Sequence, residues 1–449
     1  MLGGKRLFKR KRLLVFLLSA LFLFLGTLYR STPVHAEDGN TLGLDVGAAI
    51  LIDAETGRVL YEYNADELLG VASMSKMLTE YLVLEAIAEG TISWDDQVLI
   101  DEFIHKLSSP TLGLSTVGLT QGETYTVKEL YDTMAIHSAN ASTVALAELI
   151  AGSEANFVNM MNEKAAELGL KEGTYYFVNS SGLNNSDMLG NHPEGTDVNA
   201  ENMMTARAVA KLAYHLLKDY PEVLETASQP ELQFRDGRTY KNFNFMLPGL
   251  TFEYPGVDGL KTGSTNFAGY NFTATAERNG QRFISVVMKT DSQISRFRET
   301  KKLLDYAFHN FSNVELFPAN MEIEGFESLP VTKGKEDSVK IATKEPLNLV
   351  IKNGEEEKYM PKLVLDESKL NENGELTAPV EKGEVVGYLT YEYDGKDYGF
   401  IDSDNAVTVE VVATETVEKA NWFVLMMRGV GDFFSNLWGD ITSAVSGWF

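Results

Sequence analysis

Two residues near the start of one apolar stretch have the types and spacing of a nucleophile and its base. In VASMSKMLTEYLVLEAIAEG, which runs from Val71 to Gly90, Ser73 and Lys76 stand three positions apart. Met77, Leu78, Tyr81, Leu82, Leu84 and Ile87 recur at three- and four-residue intervals, predicting a helix that Gly90 stops. Ser73 and Lys76 would share one face of its first turn, about 5–6 Å apart at Cβ. A hydroxyl beside an amine at the positive end of a helix suits nucleophilic attack. The same residues suit a plainer task, with Ser73 or Ser75 capping the helix and Lys76 solvated. A lone S-x-x-K is too short to decide between the two. Ser138-Ala139-Asn140 and Lys261-Thr262-Gly263, the latter followed by Ser264, are further polar elements with ordinary explanations of their own: a helix-ending turn and a strand start. Arg296 adds either a charge for an anionic substrate or a surface residue of a late helix.

The elements that must position these residues can be read from patterning. VGAAILIDAETGRVLYEYNAD, from Val46, reads as two strands around a turn at Glu55-Thr56-Gly57. Val98–Ile100 is strand-like, and Thr126 and Glu129 have capping-box spacing before a helix that runs to about His137. Further helices are expected at Thr143–Ala151, Glu154–Leu168 and Ala206–Leu217. Residues 179–204, rich in Asn, Ser and Gly, form a long loop of the kind that is usually functional or mobile. Strands at Tyr270–Ala276 and Arg282–Met288 meet at Asn279-Gly280, before a helix over about Arg296–His309. Strands, then helices, then strands and a helix predict an α+β domain: an antiparallel sheet built from both ends, beside a helical cluster.

From Val314 to about Thr414 the pattern changes to short β-prone runs between Gly, Asp and Asn turns, which predicts a small all-β sandwich. The expected strands are Val339–Ile341, Leu347–Ile351, Lys362–Val364, Glu384–Thr390, Asp397–Ile401 and Val407–Val412. From Asn421 to Phe449, Trp422, Phe423, Met426, Val430, Phe433, Leu437, Ile441, Val445 and Trp448 fall on one helical face. No run reaches the ~20 apolar residues that span a bilayer, so this amphipathic helix is expected to lie in a membrane interface. At the other end, six basic residues from Lys5 to Arg12 precede apolar Leu13–Leu28, and Val34-His35-Ala36 offers small residues to a signal peptidase. The expected organisation is a signal peptide over 1–36, an α+β domain over 37–312, a β-sandwich over 313–414 and an anchoring helix over 415–449.

Composition excludes several classes of function. The formal charge is −25 for the whole chain and −32 once residues 1–36, with seven basic residues and no acids, are removed. So acidic a protein does not bind nucleic acid through a basic surface. There is no cysteine, which excludes disulfide and thiolate chemistry in an exported chain. The histidines show no metal-ligand spacing, so neither a metal site nor another cofactor is expected.

Taken together, ASMSK, HSANAS and GVDGLKTG, with FVNSSGL and ATAERNGQRFISVVM, resemble the blocks of the D-alanyl-D-alanine carboxypeptidases. These are the low-molecular-weight penicillin-binding proteins of the S11 peptidase type. The resemblance covers about Leu44 to Phe311, with an all-β domain and an amphipathic tail also expected in that family. It implies a penicillin-binding/serine β-lactamase-like fold. It also implies removal of the terminal D-Ala from peptidoglycan pentapeptide stems at the outer face of the cytoplasmic membrane, with β-lactams as acylating inhibitors. By the same resemblance Ser73 is the nucleophile, Lys76 its base and Ser138 a proton relay. Asn140 would hold the substrate amide. Lys261, Thr262, Gly263 and Ser264 would bind substrate, with Arg296 a possible addition for its carboxylate. Lys76 must be buried beside Lys261 to act as a base, and is expected to face Ser138. Val71, Ser75, Ala141, Ala208 and Ser264 depart from the family's usual residues, and none of these departures removes a group the chemistry needs. A class A β-lactamase would need an E-x-x-L-N loop in the same domain, and none follows Asn140 within residues 37–312. Transpeptidase or endopeptidase activity shares all three motifs, and a catalytically dead cell-wall scaffold would not need them intact.

Overall fold

Residues 39–402 and 407–427 are described by the computed structural model, so the expected signal peptide and most of the tail lie outside the described residues. From Leu44 onward the chain forms one unit. Its organising sheet has five antiparallel strands: β1 (Ala48–Asp53), β2 (Val59–Tyr63), β3 (Val257–Thr265), β4 (Gly269–Arg278) and β5 (Gln281–Thr290). Their order is β3-β4-β5-β1-β2, so both ends of the domain build it, as expected. The tight β4–β5 turn follows from Asn279 and Gly280, both at positive φ (53° and 76°).

Alternation along these strands assigns two faces. Ala48, Ile50 and Ile52 of β1, with Ile284, Val286 and Met288 of β5, join the large core under the helices. On the other face Phe283 and Phe272 meet Phe308 and Phe297 of the helix that follows β5.

The helical side contains α1 (Lys76–Ala88), α2 (Val127–His137), α3 (Asn140–Ala151), α4 (Glu154–Glu167) and α5 (Ala206–Asp219); α6 (Gln293–Asn310) covers the opposite face. The capping box of α2 is present, with Thr126 Oγ1 accepting from Glu129 N at 3.1 Å and Glu129 Oε2 accepting from Thr126 N at 2.8 Å. Helix α1 is buried almost all round, because it is apolar on most sides and runs through the centre of the domain. That position carries Lys76, Thr79 and Glu80 into the interior.

Three local expectations need correction. The stretch after Val71 begins as a 3₁₀ turn, Ala72–Ser75, and neither Ser73 nor Ser75 caps α1: Ser75 Oγ donates instead to the Ala72 carbonyl at 2.7 Å. Helix α3 starts at Asn140 rather than Thr143, since Ser138 at φ 56° reverses the chain at once. Lys261-Thr262-Gly263 lies in the middle of β3, not at its start.

Strands β6 (Phe311–Phe317), β7 (Ser328–Thr332), β8 (Ser338–Thr343), β9 (Leu347–Lys352), β10 (Tyr359–Leu365), β11 (Leu376–Thr377), β12 (Val385–Tyr393) and β13 (Val409–Ala413) form two sheets over one shared core. One pairs β6 with β9, and the other runs β10-β12-β13-β8-β7-β11. This is the expected all-β domain, with β6, β7 and β11 unforeseen and no strand at 397–401. That segment packs on the first domain instead: Ile401 N donates to the Gly57 carbonyl at 2.8 Å, and Asp402 pairs with Lys211 at 2.5 Å. Buried Arg58 donates to Val350 O at 2.9 Å and to Tyr359 Oη at 2.7 Å across the same junction.

Candidate active site

Ser73 sits in the 3₁₀ turn between Ala72, held at φ 48° against its Cβ, and the start of α1. Backbone strain of this kind costs about 1–3 kcal/mol and persists only where neighbours enforce it. Two glycines let those neighbours approach. A Cβ at Gly182 would lie 1.9 Å from the Ala72 carbonyl oxygen, and one at Gly263 would lie 2.5 Å from the Val71 carbonyl oxygen. The glycine after Lys261-Thr262 is therefore required because β3 lies flat against the turn that carries Ser73.

Lys76 is fully buried. Its Nζ lies 3.0 Å from Ser73 Oγ, donates to Asn140 Oδ1 at 2.7 Å and donates to the Ser181 carbonyl at 2.6 Å. Asn140 Nδ2 donates to the Ser115 carbonyl at 3.0 Å, which fixes the Asn140 amide with its oxygen toward Lys76. Burial, then the neighbouring Lys261, hold Lys76 well below the usual ammonium range. The expectation that Lys76 is interior holds, but its partners are Asn140 and Ser181 rather than Ser138. Ser138 Oγ is buried and makes no hydrogen bond among the described residues.

The Ser181 carbonyl is held by a polar knot in the 179–204 loop. Asn179 Oδ1 accepts from Ser181 N at 3.2 Å and from Gly182 N at 2.7 Å. Glu154, buried at the start of α4, accepts from Ser180 N at 2.6 Å and from Ser180 Oγ at 2.9 Å. Burial pushes the Glu154 carboxyl up to about 7. Ser115, Asn179, Ser181, Glu80 and Glu154 were not singled out from the sequence. The FVNSSGL block and the Asn- and Ser-rich composition of the loop were the signals for Asn179 and Ser181.

Lys261 is 3 % exposed and donates to its neighbour's carbonyl, Thr262 O, at 3.3 Å. Burial brings it down to about 8. Arg296 is not a surface residue: it is 3 % exposed, lies 4.8 Å from the Phe297 ring centroid, and its charge acts on Lys261. A cleft of about 560 Å³ passes Ser73 and Asn140, with Ser115, Gly182, Ser264 and Phe267 among its walls. Lys76, Ser138, Lys261 and Arg296 are not part of that lining, so the charges of Lys261 and Arg296 act on it from within the protein.

A mixed sheet-and-helix domain with a serine hydroxyl 3.0 Å from a buried lysine amine, joined to an all-β domain, is the arrangement of a serine hydrolase of the penicillin-binding type. Residues 35–292 match the family described as D-alanyl-D-alanine carboxypeptidase, peptidase S11, and residues 311–419 match the C-terminal domain of penicillin-binding protein 5. The chain is 33% identical over 428 residues to D-alanyl-D-alanine carboxypeptidase DacF of Bacillus subtilis, covering 94% of this chain and 99% of the relative. It is similar to a peptidoglycan synthesis regulatory factor, PBP3, of Streptococcus pneumoniae, with a TM-score of 0.68 and 34% identity over 84% of this chain and 100% of that one. Penicillin-binding protein D2 of Listeria monocytogenes, in its ampicillin-bound form, is similar at a TM-score of 0.50 and 35% identity, over 59% of this chain and 98% of that one. The chain belongs to the S11 family of D-alanyl-D-alanine carboxypeptidases.

Proposed function

We propose that the enzyme removes the terminal D-Ala of peptidoglycan pentapeptide stems through an acyl-enzyme on Ser73. The observation that carries this reading is the set of contacts around Lys76. A neutral amine has two N–H groups and one lone pair. Asn140 Oδ1 and the Ser181 carbonyl can only accept, and they take both N–H groups. The lone pair is left for the Ser73 hydroxyl at 3.0 Å. Ser73 Oγ then bonds to the carbonyl carbon of the penultimate D-Ala as its proton passes to Lys76 Nζ. The oxyanion is held by the backbone N–H groups of Ser73 and Ser264; a donor of this kind is worth about 10²–10³ in rate. As the C–N bond breaks, the proton returns from Lys76 to the departing amine; the resemblance assigns the relay to Ser138, whose Oγ has no other hydrogen-bond partner among the described residues. Water then hydrolyses the ester, regenerating Ser73. Ser264 on the cleft wall meets the substrate directly, with Thr262 buried beside it on β3, while Lys261 and Arg296 supply positive charge for the substrate carboxylate.

The ampicillin-bound Listeria protein supports reading β-lactams as acylating inhibitors here too. Incubation with penicillin followed by mass spectrometry should find one adduct on Ser73, absent in Ser73→Ala. Folded protein that forms no adduct would refute the mechanism. Release of D-Ala from a pentapeptide without cross-linked product separates hydrolysis from transpeptidation.

The same reading makes residues 1–36 an export signal and the C-terminal helix a peripheral anchor to the outer face of the cytoplasmic membrane. Two features support the anchor: Asn421 Oδ1 accepts from Val424 N at 2.9 Å at the head of the helical residues 422–427, and Trp422 there is 74 % exposed. Among the described residues no helix is long and apolar enough to cross a membrane. Deleting residues 421–449 should abolish co-sedimentation with lipid vesicles; retained binding would remove the tail from the account.

A further inference from the structure

Glu80 stands one helical turn beyond Lys76 on α1, and its side chain is interior, at 3 % exposure. Its Oε1 is enclosed and has no hydrogen-bond partner among the described residues. A carboxylate in that position is costly unless neighbouring cations offset the lost water. The charged and titratable groups facing it and its lysine neighbours come from five elements. They are Lys76 on α1, Tyr131 and His137 on α2, Glu154 on α4, Lys261 on β3 and Arg296 on α6. Lys261 is equally enclosed and has one weak acceptor, the Thr262 carbonyl at 3.3 Å, with no ion pair in contact among the described residues.

We propose that Glu80 is a positioning residue for the reaction: its buried carboxylate holds Lys261 as an ammonium, so that Lys261 is the fixed positive charge and Lys76 the neutral base. The proposal rests on the roles given above to Lys76 and Lys261. Two ammonium groups sharing one dry volume repel each other, and the lysine with the better anion keeps its proton. For Lys261, Glu80 is the largest influence favouring the charged form, and Arg296 opposes it. For Lys76, repulsion from Lys261 outweighs attraction to Glu80. The proton therefore stays on Lys261, and the lone pair that Ser73 needs stays on Lys76. Burial also raises Glu80 itself, to about 7, so it is ionised where Lys261, at about 8, begins to titrate.

The test is the pH profile of kcat/KM for D-Ala release by the whole mature enzyme. The wild type should lose activity on the alkaline side with a midpoint near 8, below the ordinary lysine value of about 10.4. Glu80→Gln removes the anion and should move that limb down by about one pH unit. Glu80→Asp, which keeps the charge, should restore it. Glu80→Met removes the charge without leaving a buried amide and should give the same shift. A purely structural role would lower the plateau and leave the limb in place. A wild-type midpoint near 10, or a limb unmoved in a folded neutral variant, overturns the proposal, and the wild-type midpoint alone decides if neither neutral variant folds. Wild-type protein that forms no Ser73 penicillin adduct would instead overturn the reading on which the proposal rests.

Discussion

Gly263→Ala should damage the active site without touching a reacting group. The new Cβ would stand 2.5 Å from the Val71 carbonyl oxygen, 2.9 Å from Met74 N and 3.1 Å from Ser73 N. All three are backbone atoms, so no side chain can swing aside. To restore an ordinary 3.4 Å contact with Val71, β3 and the 3₁₀ turn must separate by roughly 0.9 Å. The turn carries Ser73 and the strand carries Lys261 and Ser264, so the displacement falls on the nucleophile and the positive charge together. A misplacement of about 1 Å costs about 10²-fold, or about 2.7 kcal/mol in transition-state stabilisation. Overpacking should cost a further ~1–3 kcal/mol of stability. The assay is the second-order rate of penicillin acylation beside kcat/KM for D-Ala release, with thermal unfolding to confirm a folded state. Gly118→Ala is the control, because its Cβ would meet nothing within 4 Å. If Gly263→Ala acylates within about threefold of the wild type, the close approach of strand and turn is not what sets the geometry.

Asn140→Ala should remove one of the two acceptors that orient Lys76, the Ser115 carbonyl keeping only the backbone N–H of residue 140; acylation should slow by about 10- to 10²-fold at constant pH, measured by stopped-flow quenching with penicillin. Glu154 should make the protein less stable as pH rises. Below about 4.5 its carboxyl is protonated whether the chain is folded or not, whereas between about 4.5 and about 7 the unfolded chain releases the proton and the folded one keeps it. Its contribution is thus present at low pH and lost through that window, by an amount on the order of 3 kcal/mol, and Glu154→Gln should flatten the corresponding slope in thermal unfolding against pH.

Buried polar groups make the site sensitive to its supports. Each of the two acceptors on Lys76 Nζ is itself anchored: Asn140 through Ser115, and the Ser181 carbonyl through Asn179, with Glu154 holding the neighbouring Ser180. Such a network is stable when every member is satisfied, and loosening a distant member exposes an unpaired group near the nucleophile. The Asn- and Ser-rich loop that looked like a functional segment in the sequence acts here as a clamp on the base.

Much of this protein is written in short windows of its sequence. The capping box at Thr126, the Asn279-Gly280 turn and the three- and four-residue spacing after Ser73 each encode a local backbone conformation, and each formed where it was read. The three polar elements likewise named residues that meet: Asn140 on Lys76, and Gly263 against the turn that carries Ser73. What no window holds is which distant segments pack around them. Lys76 meets an acceptor 64 residues away and another 105 residues away. Arg296 and Glu80 look like ordinary helix residues in sequence and lie inside the protein. Gly263 is needed because of Val71, far back in the chain. Local patterning determines which conformation a segment adopts, because its hydrogen bonds and sterics are short in range. Burial, and with it the protonation state of a lysine, depends on the summed surroundings of a side chain, and only the folded chain decides those.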